Sequence, residues 1–133
     1  MIVVDTNLIA YLIIQGEHTQ QAEDVLTKDS EWSAPTVWRS EVRYVLVLYM
    51  RRGLLSLDQA LRLMQRAETL MQGREYEVLS TAVFSLAVNS RCSAYDGEFV
   101  ALAQHLGVPL VTSDRQILAA FPAAAVSMDA FSS

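Results

Sequence analysis

The 133-residue sequence lacks or is poor in residues on which several classes of protein depend. Its single cysteine, Cys92, cannot form an intramolecular disulfide, so nothing in the chain requires an oxidising compartment. Cys92 itself is predicted to be a small, partly buried residue and not a nucleophile. No apolar stretch without a charge approaches the ~18 residues that a membrane-spanning helix needs. We therefore expect a cytoplasmic protein with no membrane partner.

Positive charge is also scarce. Ten basic residues stand against fifteen acidic ones, which gives a net charge of −5. Because nucleic-acid phosphates are held by lysine and arginine, this balance argues against binding through bulk positive charge. It leaves open an enzyme that meets nucleic acid locally through a metal ion.

The residues that are abundant predict one folded domain. The hydrophobic content of 52% and the mean hydropathy of +0.23 exclude a disordered chain. Apolar runs without alternation predict strands at residues 2–4, 32–35, 76–79, 110–111 and 124–128. Helical patterns predict helices at residues 8–14, 19–28, 36–52, 56–71 and 93–106. A further helix is expected after residue 79, with Ser80 or Thr81 as its cap, and a short one is expected to end at residue 121. Strands of this kind that alternate with helices predict an α/β fold: a single-domain, three-layer α/β/α arrangement around a parallel sheet.

Two aspartates, Asp5 and Asp114, each follow an apolar strand directly. Ligands of an open parallel sheet bind outside the carboxyl ends of its strands, so both side chains are expected at the binding edge. An aspartate in this position also caps the helix that follows it. For each residue taken singly, both interpretations stay open.

Two further carboxylates lie on predicted helices. Asp96 comes three residues after Ser93, where it completes a variant of the capping box, yet its neighbours on the helix are apolar. Glu41 is predicted to lie mid-helix on an apolar face with Trp38 and Val45, where no capping role is available. A lone buried carboxylate is costly unless it is paired or bound to a cation, so Glu41 favours a functional site.

Several carboxylates gathered at one sheet edge repel one another, at a cost of about 4 kcal/mol for a close pair. A divalent cation removes this conflict, and an all-oxygen set of ligands selects Mg²⁺ or Mn²⁺. A zinc site is disfavoured, because Cys92 is alone and His18 and His105 fall on the polar faces of separate helices.

These acids stand within motifs that resemble the PIN-domain ribonucleases, and in particular the VapC-type toxins of prokaryotic toxin–antitoxin pairs. The resemblance covers essentially the whole chain, in order and with family-like spacing. It is carried by Val3-Val4-Asp5-Thr6-Asn7, Ser40-Glu41, Ser93-Ala94-Tyr95-Asp96 and Leu110-Val111-Thr112-Ser113-Asp114-Arg115.

The resemblance implies a PIN-like fold and a Mg²⁺- or Mn²⁺-dependent endoribonuclease that leaves a 5′-phosphate and a 3′-hydroxyl. It places the catalytic and metal-binding residues at Asp5, Glu41, Asp96 and Asp114. It further implies a homodimer, an RNA substrate and inhibition by a cognate antitoxin. Asn7 and Thr112 match polar positions that orient the carboxylates or the metal-bound waters, and Arg115 is a candidate contact to RNA.

The chain departs from some members of the family after its last motif. Those members carry another carboxylate where this sequence has Gln116 and Ile117, so a second metal ion does not follow from the resemblance. Arg39, Arg43, Arg51 and Arg52 are interpreted as a solvated helix face, with RNA contacts as the alternative. Leu54, Leu55, Leu57 and residues 61–64 are interpreted as core, with a dimer or antitoxin groove as the alternative.

Other functions remain as alternatives. A phosphoacceptor domain requires a late lysine, whereas the sole lysine is Lys28, and a phosphatase of the Asp-x-Asp type requires an acid where Asn7 stands. The stronger alternative is a non-catalytic PIN-like module that binds RNA or protein. The presence of all four acids counts against it.

Overall fold

A computed structural model describes all 133 residues. Five short parallel strands form one sheet in the order β3-β2-β1-β4-β5. The strands are β1 (Ile2–Val4), β2 (Trp32–Pro35), β3 (Glu75–Tyr76), β4 (Leu110–Val111) and β5 (Ala125–Val126). The predicted α/β fold with a parallel central sheet is therefore confirmed.

Eight helices connect and follow these strands. They are α1 (Thr6–Ile13), α2 (Thr19–Lys28), α3 (Trp38–Arg51), α4 (Leu57–Met71), α5 (Ser80–Val88), α6 (Ala94–Leu106), α7 (Arg115–Ala120) and α8 (Met128–Ser132). None of these helices has the length and apolar character needed to cross a membrane.

The order of the strands creates a crevice beside β1. The chain moves from β1 through β2 to β3 on one side, and then returns to pair β4 with the other side of β1. Since parallel crossovers are right-handed, α1–α4 are expected on one face of the sheet and α5–α7 on the other. The reversal of direction between β1 and β4 is a topological switch point, which is where such sheets bind ligands.

The core lies around the central strands. Ile2, Val3 and Val4 of β1 and both residues of β4 are buried, because each of these strands is covered on its two faces. Trp32 and Trp38 are fully buried beside them. Strands that are fixed in this way give the residues at their carboxyl ends a rigid base.

Several predicted boundaries were wrong, among them the three that follow. The edge strand β3 ends at Tyr76, because Tyr76 pairs with Pro35 and its sole neighbour, β2, ends there. Helix α5 follows Leu79 with no side-chain cap, so neither Ser80 nor Thr81 caps it. The last strand stops at Val126, because Ser127 accepts a hydrogen bond from the amide of Ala130 and begins α8.

The leucine-rich segment between α3 and α4 is less buried than predicted. Leu54, Leu57 and Leu61 are 60%, 62% and 53% exposed. Leu55 and Leu63 are partly buried, and Met64 belongs to the core. The prediction of a core segment holds for one side of this region and is wrong for its outer side.

Candidate active site

Asp5 is the most buried of the four predicted acids. It ends β1 and caps α1, where Oδ1 accepts a hydrogen bond of 3.2 Å from the amide of Leu8. Oδ2 accepts hydrogen bonds from the Thr112 hydroxyl and, at 3.3 Å, from the amide of Ser113. Both interpretations of Asp5 therefore apply, since it caps a helix and stands at the sheet edge.

Burial raises the pKa of Asp5 from 3.8 to about 6. The hydrogen bonds from Thr112, Leu8 and Ser113 oppose this rise, and the negative charge of Asp114 adds to it. Burial thus disfavours the ionised form of Asp5, and a cation bound beside the carboxylate would stabilise that form.

Asp114 occupies the corresponding position after β4. Its Oδ1 accepts a hydrogen bond of 3.0 Å from the amide of Ile117 and so caps α7. Its own amide donates to the Thr112 hydroxyl at 3.0 Å. Thr112 therefore links the two aspartates, because its hydroxyl accepts a hydrogen bond from the amide of Asp114 and donates one to the carboxylate of Asp5.

Glu41 reaches the site from α3. The helix begins at Trp38, so Glu41 lies in its first turn and not in mid-helix as predicted. The buried stripe of α3 is Trp38, Val42 and Leu46, and Glu41 is half-buried at its edge. The Thr6 hydroxyl donates to Oε1 of Glu41 at 2.7 Å. Burial raises the pKa of Glu41, the bond from Thr6 opposes the rise, and the charge of Asp96 adds to it.

Asp96 reaches the site from α6 and forms the predicted capping box. Its amide donates to the Ser93 hydroxyl at 3.0 Å, and its Oδ2 accepts from the Ser93 amide at 3.4 Å. The side chain is half-buried. Asp96 can cap the helix and also serve the site, because Oδ2 accepts the capping hydrogen bond and Oδ1 has no hydrogen-bond partner.

The four acids line one small cavity of about 80 Å³ at the switch point between β1 and β4. Its lining residues are Asp5, Thr6, Asn7, Glu41, Asp96, Phe99, Asp114 and Ile117. No lysine or arginine is among them, and none of the ion pairs of the chain includes any of the four acids. Two cavities of about 620 and 640 Å³ lie elsewhere and contain none of these acids.

The donor set fits a hard divalent cation in its chemistry. All its charged members are carboxylates, and Glu41, Asp96 and Asp114 each keep one oxygen that no protein group binds. As the side chains stand, however, no three acidic, histidine or cysteine side chains are close enough together to hold one ion. Coordination by three carboxylates would therefore require side-chain rotation, which the partly exposed Glu41, Asp96 and Asp114 permit more readily than Asp5 does.

The remaining predicted residues differ in their relation to the cavity. Asn7 lines it and donates from Nδ2 to the Ser113 hydroxyl at 3.4 Å. Thr112 lies behind the wall of the cavity and acts on it through Asp5. Arg115 is exposed at the start of α7 and does not line the cavity.

Sequence reasoning missed two features of the site. Thr6 is the first, because the sequence motif gives it no separate role, whereas in the structure its hydroxyl donates to Glu41. Glu98 of α6 is the second, since burial and the negative charge of Glu41 raise the pKa of its carboxyl.

Several other residues lie away from the site. His105 is exposed, and His18 packs its ring against Tyr11 with centroids 4.6 Å apart. Cys92, which was predicted to be partly buried, is buried. Arg39 forms ion pairs with Glu68 and Glu75, so its guanidinium is already engaged within the chain.

Comparison with known proteins agrees with this architecture. The family model of the PIN domain matches residues 2–122. The Ribonuclease VapC3 of Pyrobaculum aerophilum is 34% identical over 126 residues, which cover 92% of this chain and 95% of that protein.

Solved structures share the fold at lower identity. A crystal structure of PAE2754 from Pyrobaculum aerophilum is 20% identical, with a TM-score of 0.74 over 98% of this chain and 92% of that one. A toxin–antitoxin complex from Klebsiella pneumoniae contains a chain that is 17% identical, with a TM-score of 0.72 over 96% of this chain and 98% of that one. FitAcB from Neisseria gonorrhoeae gives 20% identity and a TM-score of 0.71 over 96% and 98%.

Proposed function

This chain belongs to the PIN-domain family, and from that membership we propose that it is a metal-dependent endoribonuclease, the toxin of a VapBC-type toxin–antitoxin pair. One observation carries the proposal. Four carboxylates from four separate parts of the chain line a single cavity at the switch point of the sheet, with no cationic side chain to balance them. The relative with 34% identity over nearly the full length is a ribonuclease by name.

The residues that would hold the proposed metal are Asp5, Asp96 and Asp114, and Glu41 would act beside them directly or through water. A divalent cation at these residues would supply a bound water of lowered pKa and charge compensation for the scissile phosphate. Mg²⁺ or Mn²⁺ fits because every available ligand is an oxygen.

The protein groups then have distinct tasks. The hydrogen bonds from Thr112, Leu8 and Ser113 fix Asp5 in place, so this carboxylate is the rigid member of the set. Glu41 is the candidate to accept the proton of the attacking water, because its raised pKa brings it closer to neutral pH. No histidine and no attack by the 2′-hydroxyl of the substrate are required. The products would be a 5′-phosphate and a 3′-hydroxyl.

The partners of this function are an RNA strand and an antitoxin protein, and the active form is proposed to be a homodimer. A structural neighbour of the same fold was solved as a toxin–antitoxin complex, which supports a protein partner of this type. The exposed leucines Leu54, Leu57 and Leu61 offer one apolar surface for a second protein.

The experiment that tests the function is the mapping of RNA 5′ ends after incubation of total RNA with the purified protein and Mg²⁺. We expect new 5′-phosphate ends with the wild type, none with EDTA and none with Asp114→Asn, which keeps a capping oxygen at this position. Asp129→Asn, a change at an exposed acid in the first turn of α8, is the matched control and should cleave normally.

The same experiment distinguishes the ribonuclease from the non-catalytic PIN-like module. Cleavage by Asp114→Asn equal to that by the wild type, or cleavage that persists in EDTA, would contradict the metal mechanism. RNA binding without any metal-dependent cleavage would favour a binding module.

A further inference from the structure

A second cavity, of about 490 Å³, lies beside the acidic one and shares part of its wall. Thr6, Asn7 and Glu41 line both cavities. The full set for the second cavity is Thr6, Asn7, Val37, Ser40, Glu41, Tyr44, Val45 and Tyr95. Its size lies within the range of about 300–1,000 Å³ that is typical of sites for small organic groups.

Two tyrosines of this cavity are unusually exposed. Tyr44 is 62% and Tyr95 is 60% exposed, so neither ring contributes to the core. Tyr44 stands one turn after Glu41 on α3, and Tyr95 directly precedes Asp96 on α6. The single aromatic pair of the chain is Tyr11 with His18, so the rings of Tyr44 and Tyr95 are not stacked on other rings.

The charge of the region limits what can hold a nucleotide there. No lysine or arginine lines either cavity, and the protein as a whole carries a net charge of −5. A metal ion can compensate the phosphate at the acidic site but not its neighbours along the strand. Within these two cavities no cationic side chain can bind the strand, so attraction beyond the metal comes there from uncharged contacts, of which base stacking on aromatic rings is the strongest for single strands.

We propose that Tyr44 and Tyr95 form a stacking site for an unpaired base of the RNA strand next to the scissile phosphate. The side chains of Asn7 and Ser40 lie in the same cavity, within which they can hydrogen-bond to the edge of that base. This inference rests on the proposed ribonuclease function and adds to it two residues that bind a base next to the cleaved bond.

The test compares Tyr44→Ala and Tyr95→Ala with Tyr44→Phe and Tyr95→Phe. Binding of a labelled, unstructured oligoribonucleotide is measured by fluorescence anisotropy in Ca²⁺, a hard cation that takes the same oxygen ligands, and cleavage of the same strand is measured with Mg²⁺. We expect each alanine variant to weaken binding by about 5- to 150-fold, whereas the phenylalanine variants stay within about twofold of the wild type. Phe84→Ala, which removes a 68% exposed ring outside both cavities, should change nothing.

A second measurement localises the effect. An abasic nucleotide is placed at each position around the cleaved bond in turn. At one position, removing the base and substituting Tyr44 or Tyr95 by alanine should together weaken binding no more than either change alone. Both changes remove the same stacking contact, so their effects on the free energy of binding are not additive.

The outcomes separate this inference from the function on which it rests. If the wild type cleaves RNA and both alanine variants bind and cleave like it, the stacking site is wrong and the tyrosines serve another partner, such as a protein. If the wild type cleaves no RNA, the ribonuclease proposal fails, and the binding measured in Ca²⁺ still decides whether the tyrosines hold unpaired bases.

Discussion

The hydroxyl of Thr6 donates a hydrogen bond of 2.7 Å to Oε1 of Glu41. The residue that follows the first acid of the site therefore holds the second, across 35 residues of sequence. This bond favours the charged form of Glu41 and keeps the pKa of its carboxyl from rising further.

Thr6→Val removes the hydroxyl and keeps the shape of the side chain. We expect the pKa of Glu41 to rise, so the acidic limb of the pH–rate profile should move to higher pH. The rate on this limb should fall, because a smaller fraction of Glu41 is ionised at each pH. Thr6→Ser keeps the donor and should restore the profile. A Thr6→Val profile that superimposes on that of the wild type would show that this bond does not act on the reaction.

The raised pKa of Asp5, about 6, gives a second prediction for the metal-free protein. Its folded-state pKa lies above the unfolded value of 3.8, so the folded state binds more protons between these limits. The free energy of unfolding should therefore fall as pH rises from about 4 to about 6, by up to about 3 kcal/mol.

Added Mg²⁺ should reverse this loss, because it binds the ionised carboxylates of the folded state. Differential scanning fluorimetry should show an increase in Tm with Mg²⁺ at pH 7.5, and almost none at pH 5, where Asp5 is protonated. Asp5→Asn should show a much smaller increase at pH 7.5. An equal increase at the two pH values in the wild type would be incompatible with Asp5 as a ligand.

Asp96 combines two tasks that a pair of substitutions can separate. Asp96→Asn keeps an oxygen for the Ser93 amide, so its stability should be close to that of the wild type, while metal-dependent cleavage should fall by at least about 100-fold.

Gln59 is the matched control, because it completes the same capping box with Ser56 at the start of α4, away from the acidic cavity. Gln59→Ala should lower the free energy of unfolding by about 1 kcal/mol and leave cleavage unchanged. Urea unfolding and a cleavage assay measure both quantities. Normal cleavage by Asp96→Asn would remove this residue from the site.

Arg39 is predicted to stabilise the fold and not to contact RNA. Its Nε and Nη2 donate to the two carboxylate oxygens of Glu75 at 2.6 and 2.9 Å, and its Nη1 contacts Glu68 of α4. Because the guanidinium is one-third exposed, we expect Arg39→Ala to cost about 1–2 kcal/mol of stability.

Arg43, one turn further along α3, is exposed and forms no ion pair, so Arg43→Ala is the matched control for stability. Its free energy of unfolding should differ little from that of the wild type. A loss of RNA affinity in Arg39→Ala at unchanged stability would reverse this assignment.

Local chemistry explains why much of the fold could be predicted. The capping boxes at Ser56 and Ser93 mark the starts of α4 and α6, because their hydrogen bonds span only three residues. Gly107, which ends α6, adopts a positive φ of 66°, a conformation that glycine tolerates best. The ends of the outer strands could not be placed in the same way, since Tyr76 and Val126 end strands whose lengths depend on neighbours far along the chain.

The sequence by itself determined that Asp5 and Asp114 follow buried strands, and that Asp96 lies in the first turn of a helix. These are properties of short segments, because apolar runs and caps act over a few residues. Only the tertiary structure decided that Glu41 lies within hydrogen-bond reach of Thr6, and that Tyr44 and Tyr95 line a cavity beside the acids. These relations depend on the order of the strands, which brings α3 and α6 to the crevice beside β1. That order is fixed by the burial of the whole sheet, to which every strand contributes.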